Sequence, residues 1–520
     1  MFARFSRSGH ATFMSEIHGS AGGPDKHLRT DHLYRDLQGR AIRGGVVTVA
    51  SQVVKVVVQF AAIVVLARLL APQDFGLFAM IAAFLVVLET VKDLGLSAAT
   101  IQRSDVKARQ VSTLFWINVG LAVTVTAVFA ALAPVLAWFY DEPVLLEITP
   151  VVALGLLFTG LASQHLALLR RQMRFLAVAM IMNGADIVGL LAAVVAALAG
   201  CGLWSLVIQR IVWGFVIACG AWYACDWRPG RPGPFREIRE MLAFGGNATV
   251  AMIIGRFSAA CDKILLGWYW GPVSVGLFDR AQKLLIMPIQ NLNGPLAPVA
   301  LASLSRMTGE PQRYRDAYVA AAERLAMLVA PVAALMIAAA GPVIELVLGD
   351  QWSEAAPILG WLGVAAIYMP LTYTLSWLYL SQDRTGEMLR ASLVNSAMTL
   401  PALFAGLPWG ATGVAMSYAV SGVLLRVPVL LWLAGRRGPV GPRQFVRVLA
   451  LPSLAAGIAT GLIFALRESP YAAGLSGIAQ ALVFAGVSGT ACLAVYALVP
   501  HGRRILRHTA RLPAMMMKGA

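Results

Sequence analysis

Apolar residues run through this chain in long blocks, without the alternating or every-third-residue patterns of soluble strands and helices. Fourteen windows approach the roughly 20 residues that a helix needs to cross about 30 Å of hydrocarbon. They are 44–66, 75–96, 113–138, 148–169, 177–199, 203–225, 242–266, 273–303, 318–344, 356–379, 391–407, 412–434, 447–466 and 474–499. The polar intervals between them alternate in charge. Every second connection is basic: Arg103, Lys107 and Arg109; Arg170, Arg171 and Arg174; Arg228, Arg231, Arg236 and Arg239; Arg306, Arg313 and Arg315; Arg384 and Arg390; Arg436, Arg437, Arg443 and Arg447. The intervening ones are poor in Lys and Arg, and several are acidic, with Asp141, Glu142, Glu147, Asp350 and Glu354. Basic loops stay in the cytoplasm, so an even number of spans places both termini there. Residues 1–43 lack an apolar core of signal-peptide type and are expected to form a cytoplasmic tail, with the first span directing insertion.

A repeat divides the spans. APQDFGLF at 71–78 returns as GPVSVGLF at 271–278, an offset of 200 residues, each time between the first and second spans of a six-span half. GCGLWSLV at 200–207 likewise faces GATGVAMS at 410–417. Halves with an even number of spans share orientation and are related by an axis along the membrane normal. The expected fold is therefore an all-α polytopic membrane protein with two pseudo-symmetric six-helix lobes, 44–227 and 241–434. Two further helices within 446–499 follow, and then a basic cytoplasmic tail, 500–520.

Composition agrees: 58% of residues are hydrophobic and 13% charged, too little polar surface for water-soluble domains of this size. The net charge of +16 would suggest nucleic acid in a soluble protein, but the cations lie in the short loops, where they set topology, and no nucleic-acid partner is expected. The five cysteines form no metal-ligand spacing and read as small core residues.

The candidate chemistry lies in polar stripes within spans. Span 1 places Thr48, Ser51, Gln52, Lys55 and Gln59 on one helical face. Lys55 lies about 16 Å deep, too far in to snorkel comfortably. An intramembrane charge is usually functional, although pairing with a carboxylate for packing alone is the alternative. Span 7 offers Asn247, Arg256, Ser258, Asp262 and Lys263, and the 200-residue offset carries Lys55 to the neighbour of Arg256. Span 8 continues with Asp279, Arg280, Lys283, Gln290, Asn291 and Asn293, where Asp279 and Lys283 have the spacing of an i,i+4 ion pair. Lys55 and Arg256 are expected to form an anion site. Asp186, Asp262 and Asp279 are candidates for coupling to a proton or sodium gradient. Asp186, Arg210, Glu323 with Arg324, and Arg426 are also candidates for interhelical ion pairs, and His165 is expected in packing. No metal, cofactor or catalytic constellation is recognised: Walker A, GxSxG and HExxH patterns are missing, which leaves transport.

LARLLAPQDFGLFAM at 66–80, DLGLSAATIQR at 93–103, DKILLGWYWGPVSVGLFDRAQKLLIMPIQNL at 262–292 and PVALASLSR at 298–306 resemble the polysaccharide flippases of the multidrug, oligosaccharidyl-lipid and polysaccharide exporter superfamily. The resemblance implies a V of two bundles with spans 1, 2, 7 and 8 lining a central cavity. It also implies alternating-access movement of undecaprenyl-diphosphate-linked glycans across the bacterial inner membrane for lipopolysaccharide or exopolysaccharide synthesis, with polymerase and export machinery as partners. Substrate-binding candidates are then Lys55, Arg256, Lys263, Arg280, Lys283, Gln52, Gln59 and Asn291. Five cations against Asp262 and Asp279 on spans 1, 7 and 8 favour an anionic substrate over the organic cations of a multidrug exporter. A scaffold for a glycan-synthesis complex leaves the stripes unexplained.

Overall fold

The computed structural model describes residues 37–93, 96–102, 107–234 and 239–507. The expected N-terminal tail to residue 36, the tail beyond residue 507, Arg103 and Arg236, and the side chains of Thr48, Arg239 and Asn247 lie outside the described residues. Among those described there is no strand. An apolar backbone in hydrocarbon must satisfy its own N–H and C=O groups, and the helix does so within one segment. In the first half the helices are α1 (Leu37–Leu69), α2 (Pro72–Asp93), α3 (Leu96–Gln102), α4 (Ala108–Ala131), α5 (Ala133–Tyr140), α6 (Leu145–Arg171), α7 (Phe175–Leu198) and α8 (Trp204–Ala224). Then come α9 (Arg239–Ser305), α10 (Pro311–Ala338), α11 (Ala340–Val347), α12 (Ala356–Ser381), α13 (Thr385–Gly406), α14 (Gly410–Ser421), α15 (Val427–Gly435), α16 (Pro442–Arg467), α17 (Pro470–Ala473) and α18 (Gly477–Leu498). Proline opens α2, α10 and α16, where its missing N–H costs nothing.

Twelve helical stretches are long and apolar enough to cross a bilayer, and two of them, of 54 and 51 residues, exceed one crossing. The first folds back on itself at Gly271, whose φ of 76° and ψ of −174° suit glycine alone. Lys263 on one limb bonds Gln282 on the other at 2.9 Å. Nineteen residues of continuous helix would separate them by about 28 Å. The second stretch doubles back between α13 and α14, so that Arg426 reaches Thr399 at 3.2 Å. Among the described residues the count by length and composition is therefore twelve stretches, two of them folded back on themselves, against the fourteen windows read from the sequence.

The repeat explains where the halves meet. A Cβ at Gly76 would stand 1.7 Å from the carbonyl oxygen of Pro272, and one at Gly276 would stand 2.0 Å from that of Pro72. Residues 72 and 76 are thus packed against their own repeat equivalents, 272 and 276, in a reciprocal crossing that only hydrogen-sized side chains permit. Around it Trp352 Nε1 and Gln351 Nε2 donate to the carbonyl of Ala67, Arg68 donates to that of Leu346, and Phe75 meets Trp352 edge to face.

The last two long helices pack on α10 through Ala330, Ala334, Ala455, Ala456, Ala459 and Cys492. Pro331 leaves the carbonyl of Met327 without its helical N–H, and Tyr496 Oη donates to it at 3.4 Å. The cysteines divide: Cys225, Cys261 and Cys492 are buried, whereas Cys201 and Cys219 are exposed. That corrects the reading of all five as core, since a thiol is apolar enough for a lipid-facing surface.

Candidate functional site

Directly below the glycine crossing lies a cavity of about 470 Å³, walled by α1, α2, α8 and the second limb of α9. Leu66, Phe75 and Phe78 form its apolar part. The polar part consists of Gln59, Gln209, Arg280, Gln282, Lys283, Gln290 and Asn291, and no Asp or Glu lines it. The stripe of span 8 reaches this wall because α9 doubles back at Gly271, which brings residues 280–291 alongside α1 and α2.

Its two cations belong to a larger cluster. Asp279, 2% exposed, accepts from Arg280 Nη2 at 2.6 Å and Lys283 Nζ at 2.9 Å, with Lys263 Nζ at 3.5 Å. The expected i,i+4 pair is present within a four-membered group. Arg280 also lies over the ring of Phe75, 4.3 Å from its centroid. Asp262 accepts from Gln282 Nε2 at 2.9 Å and from the backbone N–H of Lys263 at 2.7 Å. Three cations and two carboxylates leave the cluster at +1, and of the two cations that line the cavity the side chain of Lys283, 49% exposed, is the more open. Burying charge is tolerable only with such pairing.

Other expected residues are placed differently. Gln52, outside the cavity lining, donates to the lining residue Asn291 at Oδ1, 2.9 Å away, and so links the halves. Lys55 and Arg256 are exposed, do not line the cavity, and form no hydrogen bond or ion pair among the described residues. Lys55 acts electrostatically on Asp186, which accepts from Trp213 Nε1 at 2.8 Å. Along their helices, Lys55 precedes Gln59 by one turn and Arg256 precedes Lys263 by two.

The secondary candidates also separate. Arg210 pairs with Glu89, as an interhelical ion pair should. Glu323 pairs with Arg447 and His501 instead of its neighbour Arg324. Arg426, 3% exposed, has no carboxylate partner among the described residues, which corrects its expected ion pair. Its guanidinium donates to Tyr418 O, Tyr368 Oη, Thr399 Oγ1 and Ser421 Oγ, and stacks on Tyr418. The π-turn at Gly422–Arg426 shifts the helix and brings these neutral oxygens within reach. His165 packs among Phe115, Trp222 and Trp227. Sequence reasoning missed Gln209 and Gln282. The signal for Gln282 was its place between Arg280 and Lys283; for Gln209 it was adjacency to Arg210.

Residues 65–357, more than half of the chain, match the family described as polysaccharide biosynthesis protein. The teichuronic acid biosynthesis protein TuaB of Bacillus subtilis (strain 168) is 24% identical over 284 residues, 54% of this chain and 59% of that protein, so the match spans less than two thirds of TuaB. The lipopolysaccharide biosynthesis protein WzxC of Escherichia coli (strain K12) is 21% identical over 415 residues, 77% of this chain and 83% of that one. The lipid II flippase MurJ, in an inward closed conformation, superposes with a TM-score of 0.70 at 11% identity, over 88% of this chain and 98% of MurJ, which establishes a shared fold. A multi-pass helical protein with this match from the end of α1 to the start of α12, the chain belongs to the polysaccharide biosynthesis protein family.

Proposed function

We propose that the chain is an alternating-access flippase of the bacterial inner membrane that moves undecaprenyl-diphosphate-linked oligosaccharides to the outer leaflet. The observation that carries this reading is the lining of the central cavity: two cations, five amide side chains and no carboxylate. Amides donate and accept, as sugar hydroxyls require. Cations in a water-poor cleft hold a diphosphate far more strongly than surface charges would. An exporter of organic cations would need the opposite sign. TuaB and WzxC are named for teichuronic acid and lipopolysaccharide biosynthesis, and MurJ for flipping lipid II; the charge of the cavity agrees with substrates of that kind.

In this reading the glycine crossing marks the periplasmic side. Tyr140, next to Asp141, and Trp352, near Asp350, lie at that end, while Arg315, Arg447 and Arg504 converge on another face. Both termini are then cytoplasmic. The cavity opens inward and receives the head group from that side. Lys55 and Arg256 lie a turn or two nearer the entrance than the inner cluster, and the diphosphate passes from this outer pair to Lys283 and Arg280. Gln52, Gln59 and Asn291 contact the sugars. The lobes, 44–227 and 241–434, rock about the crossing, and the paired helices α16 and α18 shelter the prenyl chain. A proton or sodium gradient supplies the drive, through Asp186, Asp262 or Asp279, and no nucleotide is used.

The test is glycan export in a strain dependent on this protein, read as cell-surface polysaccharide against membrane abundance. Lys283→Gln and the double variant Lys55→Met/Arg256→Met should insert normally and lose most export. Full export by both would eliminate the anion-path assignment.

A further inference from the structure

Three helix ends far apart in sequence meet around a second cavity, of about 410 Å³, which shares no residue with the central one. The early turns of α10 contribute Arg315, Glu323 and Arg324, the second turn of α16 contributes Arg447, and the helical turn after α18 contributes His501 and Arg504. Glu323, 4% exposed, is the inner wall; His501 Nε2 lies 3.0 Å from its carboxylate and Arg447 Nε 3.6 Å. That clasp uses one carboxylate. Asp316 is the only other acid in the lining, so four arginines face two acids and the cavity is +2 before His501 takes a proton.

Two of the arginines are unpaired among the described residues. Arg315 Nε donates to the carbonyl of Pro439 at 2.7 Å, and Arg447 faces Glu323, but Arg324 and Arg504 have no hydrogen-bond or ion-pair partner among the described residues. The Nε of Arg324 is moreover buried, and a buried donor without an acceptor is costly. Among the described residues, then, no group supplies the acceptor that these guanidinium groups call for. Its depth identifies the acceptor's setting. Arg447 is one turn inside the start of α16 and Arg504 just beyond the end of α18, while α10 extends about 18 Å before it reaches Glu323. Arg447 thus lies near the start of one apolar stretch of membrane-crossing length and Arg504 just past the end of another, and the ends of such stretches are where lipid head groups lie. Guanidinium forks match phosphate oxygens in pairs.

We propose that this cavity binds a phosphate group, supplied by the head group of an anionic membrane lipid seated between α10, α16 and the turn after α18. The site binds lipid whether or not the central cavity transports glycan, so the two readings fail separately. The full chain, purified in a neutral detergent, would be offered phosphatidylglycerol, phosphatidylcholine or inorganic phosphate, with bound lipid read by native mass spectrometry and stability by thermal unfolding. Phosphatidylglycerol should be retained in preference to phosphatidylcholine. Arg504→Gln, an exposed and unpaired side chain whose loss leaves folding untouched, should weaken its binding about tenfold, as should Arg324→Gln. Arg324→Lys should restore part of it, and Arg443→Gln, on α16 but outside the lining, should change nothing. Stabilisation by inorganic phosphate alone, with no preference between the lipids, would support the phosphate site and assign its source to solution. Equal retention of phosphatidylglycerol by the wild type and both Gln variants would overturn the proposal.

Discussion

The two ends of the interface between the halves are built from different materials. At the Pro72 end the contact is backbone on backbone, Gly76 against Pro272 and Gly276 against Pro72, reinforced by donors from Arg68, Gln351 and Trp352 to carbonyls of the other half. At the other end, among the described residues, one amide bond from Gln52 to Asn291 is the only polar link. Close packing of two backbones has little tolerance for change, whereas a single half-buried amide bond has a great deal. The difference teaches which end is set up to part easily and which acts as the seal.

The comparison breaks first at the glycines. Gly76→Val or Gly276→Val inserts atoms where less than 2.1 Å is free, with backbone as the obstacle. The crossing then cannot close, and export should fall below about a hundredth of wild type, with a melting temperature lowered by many degrees; wild-type values in both would show that the crossing is loose. Next in size is Asp279→Asn, which leaves three cations without their shared partner. It should cost about 3–5 kcal/mol, measured by denaturant unfolding in detergent. Asp262→Asn turns one of its two accepting oxygens into a donor, so that one of the bonds from Gln282 and the Lys263 N–H is lost, and about 1–2 kcal/mol is expected.

Trp352→Phe sharpens the picture of the seal: the bond to Ala67 O goes while the contact with Phe75 stays, for a loss of about 1 kcal/mol. A cysteine-labelling assay should find the Pro72 end more often open. The smallest effect belongs to Gln52→Leu. Stability should change by about 0.5 kcal/mol and export by less than twofold, and a large loss would mean that the amide end is a second seal.

The outline of this fold was legible because bilayer thickness dictates span length and loop charge dictates order. The 71–78 and 271–278 strings went further, for they mark the residues that touch. Most of the cavity wall was legible too, since a Lys or Arg in an apolar span is expensive enough to signal itself. Gln209 was not, because one glutamine among apolar residues has little cost and gives little signal. Position around the interface was also hidden: Lys55 and Gln59 share a helical face, yet only Gln59 reaches the wall, because helix periodicity fixes a face but not what the neighbouring helix covers. Arg426 failed for a third reason. A guanidinium can be satisfied by hydroxyls and a carbonyl, and the π-turn that gathers them at Gly422–Arg426 has no mark in composition.

The hairpin at Gly271 has a consequence for the speed of any rocking motion. Lys263, Asp262, Asp279, Arg280 and Lys283 all belong to one folded-back helix, so their ion pairs travel as a single body. The bonds described across the interface are amide, indole or guanidinium donors on neutral oxygens, with no ion pair among them. Parting the halves therefore separates no opposite charges, and the barrier to opening should be nearly indifferent to ionic strength even in a protein of net charge +16.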